Sequence, residues 1–275
     1  MSANKAGSAR KPAWYKYGRR LPAPFKKAYR NYVYFRGYLS GLPFRVKGAP
    51  DGQPLPPSEL MFKVAGTPDA KWFWQGGLRA QQSMISLLEK NSLDIRGFTS
   101  ILDFGCGCGR VIRHLAFLEK TELFGTDYNA DLIDWCQKNF KFASFATNQL
   151  EPPLSYEDGK FDFVYALSVF THLSEELQIA WRNEVARVLK PKGYLLMTTH
   201  GEYYLSELSP AERARFHSGE LVVKCSVAAG KNYCGAYHSL QYVQEKFGEC
   251  FSVVAFEPKG ATGNPFQDVY LLKKK

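Results

Sequence analysis

Asp103, Gly105, Gly107 and Gly109 stand at alternate positions of the stretch ILDFGCGCGR (101–110), with Cys106 and Cys108 between the glycines. An apolar strand that ends in closely spaced glycines makes a tight turn. The turn lets a ligand approach the backbone and aims the following helix at it. The spacing here excludes two such uses. A dinucleotide loop needs G-x-G-x-x-G, and counted from Gly105 its last position falls on Arg110; the phosphate loop G-x-x-x-x-G-K-[ST] is absent too. An acid at a strand tip suits a cationic amino group better than a pyrophosphate. Asp127, at the end of the next apolar run, can accept hydrogen bonds from both hydroxyls of a ribose. An ammonium site, a glycine turn and a ribose acid together describe an amino-acid nucleoside.

The cysteines raise a metal clip or a redox pair as other uses of the loop. Structural zinc prefers C-x₂₋₄-C with a second pair downstream, and the chain has neither C-x-x-C nor a paired histidine motif. Cys106 and Cys108 therefore read as small side chains fitted to a crowded turn, and no metal is expected. All six cysteines are dispersed and read as reduced thiols. Cys225 and Cys234 fall in a segment expected to cover the acceptor pocket, where the same small apolar role is preferred to thiol chemistry.

The elements that would position the loop follow from periodicity. Strand-like runs lie at 100–104, 122–126, 142–146, 161–166 and 194–199, with helix-like stretches at 110–119, 129–140 and 174–189 between most of them. Ser174 reads as the N-cap of the last helix and KPKG (190–193) as its stop; Glu175 and Glu176 in its first turn favour the helix dipole. Strands alternating with helices mean βαβ units and a parallel sheet. Beyond Gly201 a mixed segment leads to a helix near 239–247. Two strands, 251–257 and 268–274, then follow with only ten residues between them, so they must pair antiparallel. Upstream, a helix is expected over 74–90, a proline- and glycine-rich linker over 42–59, and an amphipathic helix from Phe25 to Leu39.

From about Phe62 to the C-terminus, roughly three-quarters of the chain, the sequence resembles class I S-adenosylmethionine-dependent methyltransferases of the broad bacterial small-molecule and sugar type. ILDFGCGCGR is similar to the family's first motif and LFGTDYN to its ribose-binding strand end. FDFVYALSVFTHL resembles the fourth-strand segment, and ARVLKPKGYLLMTTH the entry to the fifth. The resemblance implies a Rossmann-like seven-stranded α/β sheet with helices on both faces and an antiparallel strand inserted beside the fifth. It also implies that Asp103, Gly105, Gly107 and Gly109 hold the methionine portion of S-adenosyl-L-methionine, Asp127 the ribose and Tyr128 the adenine face. Asn148 occupies the place that recognises the adenine amino group. Many relatives have Asp there, but an Asn carbonyl can also accept from an amine.

Methyl transfer is an in-line displacement at a sulfonium carbon. The protein must align the nucleophile, exclude water and, for a hydroxyl, remove its proton. Histidine suits that last task. His172 follows the fourth strand, where open α/β sheets place ligands. His200 ends the fifth strand and His238 precedes the late helix. His172 is the first candidate base, His200 the second and His238 the third; a packing role is the alternative for each. The expected acceptor is a small molecule or glycan methylated at oxygen. Nitrogen or sulfur methylation, or a non-catalytic cofactor-binding assembly factor, are the alternatives.

Charge is unevenly placed. Residues 1–50 hold twelve Lys/Arg and no acid, whereas the rest hold 24 Lys/Arg against all 26 Asp/Glu, within a total of +10. The chain thus divides into a basic, aromatic-rich N-terminal arm and linker (1–60), flexible over its first 22 residues, and a methyltransferase domain (61–275). Through residues 1–40 the arm is expected to meet an anionic membrane surface or to close as a lid; nucleic acid is not expected, because no RNA-binding motif is visible. Residues 1–50 are expected to be dispensable for folding. With 45% hydrophobic residues the chain can build a core, and no apolar run reaches the roughly 18 residues a membrane span needs. With no secretory signal visible, a cytoplasmic protein, peripheral at the membrane through its arm, is expected.

Overall fold

The computed structural model describes residues 23–224, 235–263 and 266–275. The first 22 residues, Cys225 and Cys234 lie outside these. Among the described residues three helices precede the sheet: α1 (Ala23–Lys47), α2 (Ser58–Ala65) and α3 (Ala70–Lys90). Asp69 caps α3 by accepting from the Trp72 N–H at 3.0 Å. The sheet begins with β1 (Ser100–Phe104), β2 (Glu122–Asp127), α4 (Ala130–Asn139) and β3 (Ser144–Thr147). The chain continues through β4 (Phe161–Ala166), α5 (Glu175–Val188) and β5 (Leu189–Thr199). It ends with α6 (Pro210–His217), β6 (Val222–Lys224), β7 (Gly235–Tyr237), α7 (Leu240–Lys246), β8 (Phe251–Ala261) and β9 (Gln267–Lys274).

Seven strands form one sheet in the order β3-β2-β1-β4-β5-β9-β8, and β6 pairs with β7 apart from it. The first five are parallel, and β9 runs antiparallel to both β5 and β8. This is the seven-stranded α/β sheet with the antiparallel insertion that the resemblance implied. The chain moves outward from β1 through β2 to β3, then returns to β4 on β1's other side. The carboxyl end of β1 is therefore the point where such sheets bind ligands. Alternation along β1 serves two cores. Ile101 packs with Met84, Leu87 and Leu88 of α3, while Leu102 and Phe104 pack with Trp181 and Val185 of α5.

Four expectations need correction. Residues 110–119 are not an α-helix; only a 3₁₀ turn, Ile112–Leu115, forms there. Gly77 brings α3 so close to the Arg110 carbonyl that any Cβ would strike it. The side chains of this stretch are also drawn to different partners. Arg113 reaches Asp51, and His114 Nε2 lies 3.1 Å from the Trp74 carbonyl. The linker is shorter than 42–59, because α1 continues through Pro43 to Lys47. The KPKG stretch does not terminate α5, which stops at Val188, and belongs to β5. The third strand starts two residues later than expected, at Ser144.

α1 packs on the body through its second half. Gly37 and Gly41 lie against Pro68 and Ala70, close enough that a side chain at either would collide. Tyr34 meets Phe62 edge-on at 5.4 Å, and Phe44 meets Trp74 at 6.0 Å. Asp51 then clamps the linker to the buried Arg113 guanidinium at 2.8 and 2.9 Å.

Candidate functional site

The glycine run forms a turn in which Gly105, Gly107 and Gly109 have φ values of 80°, 57° and 76°. Other residues adopt that region at a cost, so the alternation of glycines is a backbone requirement. The turn is stitched to the end of β2. Gly105 N–H and Cys106 N–H donate to the Thr126 carbonyl at 2.8 and 2.9 Å, and Gly107 N–H donates to Asp127 Oδ2 at 3.0 Å. Asp127 Oδ1 accepts from Asn129 N–H at 2.9 Å. Side chains would also have no room: a Cβ at Gly105 would strike Val169, at Gly107 Val64 of α2, and at Gly109 Phe140. Gly109 thus faces the core beneath the loop, while Val169 and Val64 wall the first two glycines.

Two buried carboxylates flank this turn. Asp103 is 3% exposed, and burial pushes its carboxyl up to about 7 against the opposing pull of the Tyr165 hydroxyl and the Arg110 guanidinium. Burial likewise raises Asp127, countered by its two backbone hydrogen bonds. A further cation beside Asp103, in addition to Arg110, and hydroxyl donors beside Asp127 would relieve both penalties. Asn148 follows β3. Its amide nitrogen donates to the Gln149 carbonyl at 2.6 Å, and its Oδ1 is buried with no partner among the described residues. An orphaned acceptor there fits an amine donor such as adenine supplies. Tyr128, beside Asp127, is 45% exposed and presents a ring to solvent.

Cys106 and Cys108 are buried, and burial pushes both thiols well above their ordinary value. Cys106 fills the space over Gly125, and Cys108 packs with Met61, Phe73 and Leu132. Among the described residues no group of three His, Cys, Asp or Glu could hold a metal ion.

His172 and His200 come together beyond β4 and β5, with ring centroids 6.4 Å apart. Tyr204 and Tyr237 lie 4.3 and 5.6 Å from His200. His238 is elsewhere: it is 1% exposed, bonded through Nε2 to Gln178 at 2.8 Å, and driven by burial down to about 3. It is a packing histidine. Sequence reasoning missed Gln267. Its Oε1 accepts from the Thr198 hydroxyl at 2.7 Å. That orients its Nε2 toward Ser168 Oγ at 2.7 Å and His200 Nε2 at 3.3 Å. No local signal could have found it, since β9 reaches the site only through the antiparallel insertion. Arg110 was visible in the loop, but only as the residue that breaks the dinucleotide pattern. Glu175 and Glu176 occupy the first turn of α5 behind Ser174, whose hydroxyl accepts from the Leu177 N–H.

Residues 101–193 match the family described as "Methyltransferase domain". The match spans about a third of the chain and marks residues 101–193 as a methyltransferase domain, set within the seven-stranded sheet of the class I methyltransferase fold. A tRNA N(3)-methylcytidine methyltransferase of Schizosaccharomyces pombe is 26% identical over 72% of this chain and 65% of its own length. A fatty-acid O-methyltransferase of Mycolicibacterium smegmatis is 33% identical over 38% of each chain. A sterol 24-C-methyltransferase of Gibberella zeae is 30% identical over 38% of this chain and 28% of its own. The chain thus spans less than two thirds of each of these relatives. A putative S-adenosylmethionine-dependent methyltransferase structure from Listeria monocytogenes shares the fold with a TM-score of 0.53. It is 13% identical and covers 70% of this chain and 99% of that one. The 1,6-didemethyltoxoflavin-N1-methyltransferase of Burkholderia thailandensis, solved with S-adenosylhomocysteine, has a TM-score of 0.51, with 14% identity over 74% of this chain and 80% of that one.

Proposed function

We propose that this protein transfers the methyl group of S-adenosyl-L-methionine to a small-molecule or glycan-like acceptor, at oxygen. The observation that carries the reading is the pair of buried carboxylates astride the glycine turn, with the partnerless Asn148 Oδ1 beyond them. In this reading Asp103 holds the ammonium, and the turn at Gly105, Gly107 and Gly109 admits the methionine chain. Asp127 accepts from the ribose, Tyr128 covers the adenine and Asn148 accepts from its amino group. The cofactor supplies an activated methyl on sulfur.

The rest falls to the chain's own side chains. His172 is the assigned base for a hydroxyl acceptor. His200 is the weaker choice because its Nε2 lone pair already faces the Gln267 amide donor, which leaves the proton on Nδ1. The tyrosines around His200 supply an aromatic wall against which an acceptor can be oriented and water excluded. The named relatives methylate nitrogen, oxygen and carbon, so the oxygen assignment rests on the histidine pair alone.

The test is transfer of labelled methyl from S-adenosylmethionine into extract fractions, with untargeted metabolite comparison of a deletion strain and its parent. A labelled product that matches a missing methylated species is the expected result. Tight cofactor binding with no acceptor in any fraction would instead make the protein a non-catalytic cofactor-binding factor.

A further inference from the structure

α1 has two apolar faces, and the body uses only one. Tyr34, Gly37, Gly41 and Phe44 face α2 and α3. On the opposite side Phe25, Tyr32, Phe35, Leu39, Leu42 and Val46 fall on an alternating three–four repeat, and all six are exposed, from 37% at Leu42 to 82% at Val46. The stripe spans roughly 30 Å of helix at 1.5 Å per residue. A solvent-facing apolar stripe of that length marks an interaction surface. Its charge setting is equally one-sided. Lys27, Arg30, Arg36 and Lys47 are exposed alongside it. Neither α1 nor the 22 residues before it contain a single acid, and those 22 add six further bases.

We infer that the outer face of α1 docks on an anionic lipid bilayer, its stripe entering the interface and its bases meeting the head-group phosphates. Three features select this occupant. Aromatic rings sit well at the depth where head groups meet acyl chains, and Phe25, Tyr32 and Phe35 lead the stripe. A second copy of the chain would bring two wholly basic helices together with no carboxylate at the flanks to pair them. A nucleic acid would be met by bases and hydrogen-bonding groups, and Leu39, Leu42 and Val46 offer it neither. Arg36 Nη1 already reaches the Tyr32 hydroxyl at 3.4 Å, so charge and apolar edge form one border. The docking would hold the catalytic body against the bilayer through α2 and α3, independently of which acceptor the site takes.

The full chain should float with vesicles of mixed phosphatidylglycerol and phosphatidylcholine, and not with phosphatidylcholine alone. The doubly substituted Phe35→Ser/Leu39→Ser protein should lose about tenfold or more in partition, because burial of those two side chains supplies the apolar part of binding. Its circular dichroism and its affinity for S-adenosylhomocysteine should match wild type, since both side chains point away from the body. The Arg30→Glu/Arg36→Glu protein should lose binding as well. Unchanged vesicle binding by the serine variant would overturn the inference. So would a wild-type protein that ignores anionic vesicles, whether it sediments as a dimer the serine variant breaks, binds RNA or does neither.

Discussion

Asp103 carries the most informative titration in the molecule. An ammonium group binds only the carboxylate form, and in the free protein burial holds this carboxyl up to about 7. Below that value binding must first expel a proton, so affinity for S-adenosylhomocysteine should fall by up to about tenfold per pH unit. Calorimetry across neutrality will show this slope, and Asp103→Asn should bind weakly with no slope. The same shift has a consequence for stability. The unfolded chain ionises this group near 3.8, so the unliganded fold loses stability as pH rises from there to about 7. A ligand ammonium should recover that loss. Asp127→Ala should weaken cofactor binding by about 2–4 kcal/mol, read by the same calorimetry. For the histidines, His172→Ala should lower turnover roughly 10²–10⁴-fold with cofactor affinity intact. If His200→Ala does so and His172→Ala does not, the base lies one strand along. If neither matters, the acceptor arrives as an amine or thiolate.

At the scale of elements, the linker and the loop after Gly109 hold each other. The Arg113 side chain is fully buried against an Asp51 that is 18% exposed, and it also donates to the Gln53 and Pro54 carbonyls at 2.9 and 3.1 Å. Burial alone would raise the Asp51 carboxyl, but the hydrogen bonds and charge of Arg113 bring it below the ordinary range. Asp51→Ala would leave a buried guanidinium without its counter-charge, so it should cost about 3 kcal/mol in urea unfolding. The native pair's contribution should be complete at neutral pH and fade as pH falls through the lowered Asp51 value. The irregular stretch 110–119 lies within this arrangement, with the Arg110 carbonyl packed against Gly77 of α3.

For the whole molecule, the second half of α1 is part of the packed body. The expected dispensability of the arm narrows to its first 22 residues, because Tyr34, Gly37, Gly41 and Phe44 are packed. Deleting residues 1–22 should leave the thermal midpoint and cofactor affinity unchanged. Deleting residues 1–47 uncovers Phe62 and Trp74 and should lower the midpoint by about 5 °C or more in a scanning melt. No helix among the described residues is long and apolar enough to cross a membrane.

What the sequence determined by itself is local or periodic. The alternate glycines, the acids at two strand tips, the βαβ rhythm and the short gap before the last strand are each readable within a few dozen residues. Each has one physical solution. Tertiary structure decided whatever depends on partners distant in the chain. Gln267 reaches His200 only because β9 inserts beside β5. His238 is removed from chemistry only because Gln178 and the core enclose it. The apolar repeat of α1 reads in sequence as one face of an amphipathic helix, for a membrane surface or a lid. Only packing showed that the glycines and their neighbours are buried while the stripe of Phe25, Phe35 and Leu39 is left outside. Small residues permit the closer approach to α3, and the helix turns that way.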